Sequence, residues 1–250
     1  MTKNQNADAT TVTFDFREIS ARNRYKLLIG TIVPRPIALV TTVDPGGRVN
    51  AAPFSFFNCL SADPPILALG IENHPDMSYK DTTLNIRLSE VFTVNIVSLA
   101  MAEAVHVCAV PFAPGEDELR AAGLTAMPGT RVASPWIKEA PAAFECRRYV
   151  TLELGKSRQI VLGEIVFAHF REDVIDTNRL RVDPAKLDAI ARLGGDTCAT
   201  IRDRFEMPTP TLADVEMDQS RSRHFAPVHT SSSPPAMINS IAAGDDQFTI

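Results

Sequence analysis

No apolar run in the sequence approaches the roughly 18 residues needed to span a bilayer, so a membrane-crossing helix is not expected. The opening MTKNQNADATT is polar and lacks the apolar stretch of a secretory signal, which makes the cytoplasm the expected location. Cysteine is scarce. Cys59, Cys108, Cys146 and Cys198 lie far apart, and no pair has the short spacing of a zinc or thiol-redox motif. Free thiols in a reducing compartment are therefore expected. The five histidines (His74, His106, His169, His224 and His229) show no ligand spacing, so no metal is expected. A basic excess is also missing: the net charge is −5, which argues against a nucleic-acid partner. GxGxxG after a first strand, GxxxxGK[ST], HExxH and GxSxG are all absent. With 45% hydrophobic and 22% charged residues in 250, the chain can build a sizeable core without disulfide staples.

Three zones divide the chain. Residues 1–13 form a polar arm, residues 14–210 carry dense periodic structure, and residues 211–250 read as an extended or disordered C-terminal tail. In the middle zone strand signals dominate. Residues 37–43 (IALVTTV) and 48–50 flank Asp44-Pro45-Gly46-Gly47, which predicts a hairpin. Strands are expected at 66–71 and 91–97. A second hairpin is expected from 144–154 and 159–170, turning at Gly155-Lys156-Ser157. Helices are expected at 17–29 ended by Gly30, at 78–88, from Ser98 to about Cys108, and at 116–122 ended by Gly123. A last helix starts at Asp183-Pro184 and closes at Gly194. Many strands with a few inserted helices, and no βαβ rhythm, predict a mainly β (α+β) fold with the strands closed into a barrel.

Three segments carry candidate chemistry. Pro34-Arg35-Pro36 fixes the backbone around one Arg, giving either a rigid turn or a pre-positioned guanidinium for a phosphate or carboxylate. Asn50-Ala51-Ala52-Pro53-Phe54-Ser55-Phe56-Phe57-Asn58 mixes small residues with hydrogen-bonding ones. It reads as a distorted strand or as a wall against which a flat ligand can lie. Ser78-Tyr79-Lys80-Asp81-Thr82 opens a helix with hydroxyls and a cation, which suits an anion or simply a solvated helix start. Together they describe a ligand with a phosphate at one end and a flat polar ring at the other. FMN fits this description, and so does the smaller pyridoxal phosphate.

The run PRPIALVTTVDPGGRVNAAPFSFFNCLSADPPILALGI, followed by YKDTTLNIRLSEVFTVNIV, LGEIVFAHF, RVDPAKLDAIARLGG and DRFEMPTP, resembles the flavin reductase-like FMN-binding split-barrel proteins, which include the flavoredoxins. The resemblance spans roughly residues 20–210. It implies a six-stranded antiparallel split β-barrel, homodimeric, holding FMN and drawing electrons from NADH or NADPH. Free flavin or another small acceptor, or a partner monooxygenase, would receive them. The alternatives it leaves are a flavoredoxin-like FMN carrier between protein partners and a pyridoxine-phosphate-oxidase-like enzyme. Carried over by residue, the FMN contacts would be Arg35, Asn50, Ala51, Pro53, Ser55, Phe56, Phe57 and Asn58, with Ser78, Lys80 and Thr82 on the phosphate and ribityl side and Asn85 supporting that loop. His169 would face the flavin from the end of a late strand, as a candidate catalytic residue. After RLGG the sequence departs from the pattern, with Asp196-Thr197-Cys198 where an Asn and a nearby aromatic are expected. That would open the site or bring a negative charge into it.

Overall fold

The structure is a computed structural model and describes residues 11–112 and 116–211. The arm ahead of residue 11 and the tail after residue 211 lie outside the described residues. The main sheet has seven antiparallel strands: β1 (Ala38–Val43), β2 (Val49–Phe54), β3 (Phe57–Ala62), β4 (Pro65–Glu72), β5 (Val91–Ile96), β6 (Ala142–Leu154) and β7 (Arg158–Phe170). Their order across the sheet is β2-β1-β5-β6-β7-β4-β3. The two strands at opposite edges of this sheet, β2 and β3, are joined in sequence by Ser55 and Phe56 alone. So short a link can connect opposite edges only if the sheet curls round on itself, and this is the split of a split barrel. Six strands were implied, and the main sheet has seven.

Both expected hairpins form where local turn chemistry dictates. Gly47 takes φ +81° in the β1–β2 turn, and Gly155 takes φ +63° in the β6–β7 turn, conformations that glycine adopts at no steric cost. β1 is buried on both faces, which explains its unbroken apolar and β-branched run. Leu39 joins a cluster with Val97, Met101, Val105, Leu119 and Ile137 under the helices. Ala38 and Val40 point the other way, into a cluster with Leu67, Leu69, Ile71, Phe92, Val94 and Val161. Gly163 on β7 keeps this second cluster closed. A Cβ there would sit 2.3 Å from Phe92 Cζ and 3.3 Å from Cys146 Cβ, and both residues are fully buried. Gly163→Ala should therefore cost about 1–3 kcal/mol by overpacking, read as a lower urea midpoint at unchanged slope.

The helices differ from expectation in extent. α1 spans Ala21–Thr31, because Ser20 accepts from the Asn23 N–H and caps it there while Asp15 ties the preceding turn. The helix runs through Gly30 instead of ending at it. α2 is Asp81–Ser89, so Ser78, Tyr79 and Lys80 precede it. A short 3₁₀ turn at Leu99–Met101 leads into α3 (Ala102–Cys108), and α4 is Glu118–Ala121, capped by Asp117. The last helix is capped by Asp183 with Pro184 in its first turn, as expected, but covers only Pro184–Leu187. Asp188 turns left-handed at φ 43°, and residues 190–192 become a strand paired with 35–36 and 198–200. Gly194 closes no helix. It lies against α1, where a Cβ would meet the Gly30 Cα at 3.1 Å.

Candidate functional site

A cavity opens at the split. β2 and the Ser55-Phe56 link form one wall, and Gly70, Glu72 and Arg158 form another. Lys80, Asp81 and Thr82 at the start of α2, the segment from Cys108 to Phe112, Glu118 of α4 and Tyr25 of α1 complete it, with His74 at the rim. The link is held down by the Gly70 N–H, which donates to the Phe56 carbonyl at 2.7 Å. The residue at 70 has to be small, since a Cβ would meet the Phe56 Cβ at 2.9 Å.

A cationic corner occupies one part of the cavity. Lys80 is partly buried, and burial pushes its ammonium below the ordinary lysine range, with Glu72 opposing and Arg158 adding to the shift. The Arg158 guanidinium lies 3.1 Å from Glu72 and 4.8 Å above the Phe56 ring, whose other neighbour is Tyr25 at 6.3 Å between centroids. The N-cap position of α2 is Lys80, which makes no side-chain cap bond, so first-turn N–H groups remain as donors. Behind them runs a polar chain. Asn50 Nδ2 donates to Thr82 Oγ1 at 3.1 Å and to Thr42 Oγ1 at 3.3 Å, and Asn85 Nδ2 donates to Thr42 Oγ1 at 3.0 Å. Asn85 thus supports the helix start from beneath.

The opposite wall carries an acid. Glu118 Oε2 accepts from the Ala51 N–H at 3.2 Å, on the side of β2 that β1 does not cover. Burial pushes the Glu118 carboxyl above the ordinary range, its hydrogen bonds to backbone N–H groups oppose this, and Asp117 and Asp81 add to the rise.

Of the expected contacts, Asn50, Ala51, Pro53, Ser55, Phe56, Lys80 and Thr82 line this cavity. Arg35, Phe57, Asn58 and Ser78 do not. Arg35 is buried, and its guanidinium donates to the carbonyls of Ile29, Ile32 and Leu193 at 2.6, 3.0 and 2.8 Å. Here Arg35 satisfies two carbonyls at the end of α1, which helix geometry leaves without partners, and the Leu193 carbonyl. Phe57 packs against the barrel interior. Asn58 is exposed and accepts from its neighbour's N–H, and Ser78 donates twice to Asp76 in the turn before α2. His169 lies elsewhere too: its Nε2 is 2.7 Å from Glu145 and its ring stacks on Trp136 at 4.5 Å. Asp196 and Cys198 are also outside the cavity. Asp196 is exposed beside Arg192 at 3.3 Å, so it brings no charge into the site. Among the described residues no cluster of three or more potential metal ligands occurs. Sequence reasoning missed Tyr25, Glu72, Arg158, Glu118 and the Cys108–Phe112 segment. Only the β4–β7 register, which sets Arg158 opposite Glu72, brings the second cation to the first.

Fold and cavity together define a split-barrel protein with a cleft that brings Lys80 and Arg158 together with the residues of β2. The chain belongs to the flavin reductase like domain family, whose model matches residues 30–184. An uncharacterized protein of Deinococcus radiodurans is 42% identical over 206 residues, covering 80% of this chain and 90% of its own. Among solved structures, nitrilotriacetate monooxygenase component B from Bacillus cereus superposes with TM-score 0.77 at 29% identity, covering 80% of this chain and all of that one. The 2-nitrobenzoate 2-nitroreductase NbaA of Pseudomonas fluorescens gives TM-score 0.73 at 36% identity, covering 80% and 98%.

Proposed function

We propose that the chain is an FMN-dependent oxidoreductase that takes electrons from NADH or NADPH and passes them to free flavin or another small acceptor. The observation that carries this reading is the convergence on one cavity of a partly buried Lys80 at the start of α2, Arg158 of β7 and the residues of β2 from Asn50 to Phe54. Lys80 and Arg158 share one carboxylate, Glu72, so the corner keeps an excess of positive charge that a ligand phosphate would balance. The donor set fits FMN: two cations and the N–H groups of α2 for the phosphate, Thr82 and Asn50 for the ribityl hydroxyls, and Ser55, Phe56 and the β2 backbone for the ring. When bound, FMN supplies reversible acceptance of two electrons. These residues would hold and orient it, with Phe56, fixed through its carbonyl by the Gly70 N–H and covered by Arg158, as an apolar wall.

The similarity to a nitroreductase adds aromatic nitro compounds to the acceptors worth trying, and the similarity to a monooxygenase component adds a monooxygenase partner that would use reduced flavin. We further propose a cytoplasmic homodimer; exposed apolar side chains at Phe14, Phe16 and Leu60 support it. The test is the absorption spectrum of purified protein after FMN addition, followed by anaerobic NADH or NADPH. A flavin band that bleaches with either nicotinamide is expected. A flavin band that neither bleaches would replace this reading with an electron carrier, and protein that takes up no FMN would end both.

A further inference from the structure

We propose that Glu118 is the group that takes up a proton when FMN in the cavity is reduced; this rests on the FMN reading above. Three observations lead there. Glu118 lines the cavity, and its carboxylate accepts from neutral backbone N–H groups, those of Ala51 and of Glu118 itself. The other carboxylates of the cavity are compensated: Glu72 by Arg158, and Asp81 by its place in the first turn of α2. No cation pairs with Glu118 among the described residues.

The groups facing it come from three elements. Asp117 precedes it on α4, Asp81 lies on α2, and Cys108 on α3 directs its Sγ to the Glu118 carbonyl at 3.9 Å. β2 contributes only its backbone N–H. Both carboxylates push Glu118 toward its neutral form, as does burial. The Cys108 thiol is itself pushed up to about 11, so it holds its proton throughout the neutral range. Its burial, its place in the cavity and its lack of a cationic partner make Glu118 the group on this wall that is biased toward taking up a proton.

Two electrons from an external reductant, with one proton, convert the oxidised ring to its reduced anion. That new negative charge raises the proton affinity of a nearby carboxylate. Glu118 then takes a second proton from solvent and becomes neutral, so the balance is two electrons and two protons per flavin. Reoxidation by an acceptor reverses both steps and returns the proton from Glu118.

Proton count is read from the midpoint potential of bound FMN against pH, with dithionite as reductant and FMN affinity measured first on each protein. Native protein should show the slope of two protons per two electrons over a range around neutrality. Glu118→Gln should show half that slope, and Glu118→Asp should restore part of it. A merely structural role would shift the potential uniformly and leave the slope alone. Infrared difference spectra of native protein supply a readout that needs no variant, since a protonated carboxyl band should appear on reduction. Native and Glu118→Gln protein that both bind FMN and share one slope would overturn the role of Glu118. Failure of native protein to bind FMN would instead overturn the reading on which it rests.

Discussion

Glu145→Ala is expected to lower the stability of the fold by about 2–4 kcal/mol, because it removes the buried acceptor of three backbone N–H groups and of His169. The Glu145 side chain is fully buried on β6. It accepts from the N–H groups of Thr130 and Arg131 at 2.6 Å and Val132 at 3.0 Å, and lies 2.7 Å from His169 Nε2. These contacts fasten the 128–137 segment to the barrel. Thr93 adds a bond to the Ser134 carbonyl at 3.1 Å, and the Ile137 N–H donates to Asn95 at 2.8 Å. Burial alone would push the Glu145 carboxyl up. The Thr130 N–H, His169 and the next two N–H groups together outweigh it and hold the group below the ordinary carboxylate range. A depressed folded pKa stabilises the protein above the unfolded value, about 4.3, and that gain is lost as pH falls through the folded pKa. Urea unfolding at a series of pH values should therefore show an acid-side decline that Glu145→Gln flattens. Equal acid slopes in the two proteins would show that Glu145 does not hold the loop as a carboxylate.

Lys80→Ala should weaken FMN binding by about 1.5–3 kcal/mol, roughly a tenfold to hundredfold rise in Kd, through loss of a charge-assisted phosphate contact. Arg158→Ala should act in the same direction. The two are coupled, since Lys80 responds to both Glu72 and Arg158. The double variant should accordingly depart from the sum of the singles. Because burial has already lowered the Lys80 pKa, affinity should fall as pH rises through it, and bound phosphate should raise it again. Fluorescence titration of FMN reads all of this. An unchanged Kd in Lys80→Ala would reject Lys80 as a phosphate ligand.

Sequence patterns located the β1–β2 and β6–β7 hairpins because the turn chemistry at Gly47 and Gly155 is local and the flanking residues are β-branched. The end of the last helix was not legible. Asp183 and Pro184 announce its start, but its stop depends on residues 190–192 pairing with 35–36 and 198–200, far away in sequence. The site divides in the same way. The stretch from Asn50 to Phe56 is contiguous, and its mixture of small and hydrogen-bonding residues marks it. Arg158 and Glu118 reach the cavity only through strand register and helix packing, which no local pattern encodes. Arg35 misled for a physical reason. Its partners in the structure are two carbonyl groups at the end of α1 and the Leu193 carbonyl, the last of them far away in sequence.

The two-residue passage from β2 to β3 makes the barrel a hoop fastened at one buckle, Ser55-Phe56, and the cavity sits at that buckle. A ligand seated there touches β2 at one edge of the sheet together with β4 and β7, which lie next to the other edge. Its binding free energy therefore tightens the whole hoop, including β5 and β6, which lie at its far side and line no part of the cavity.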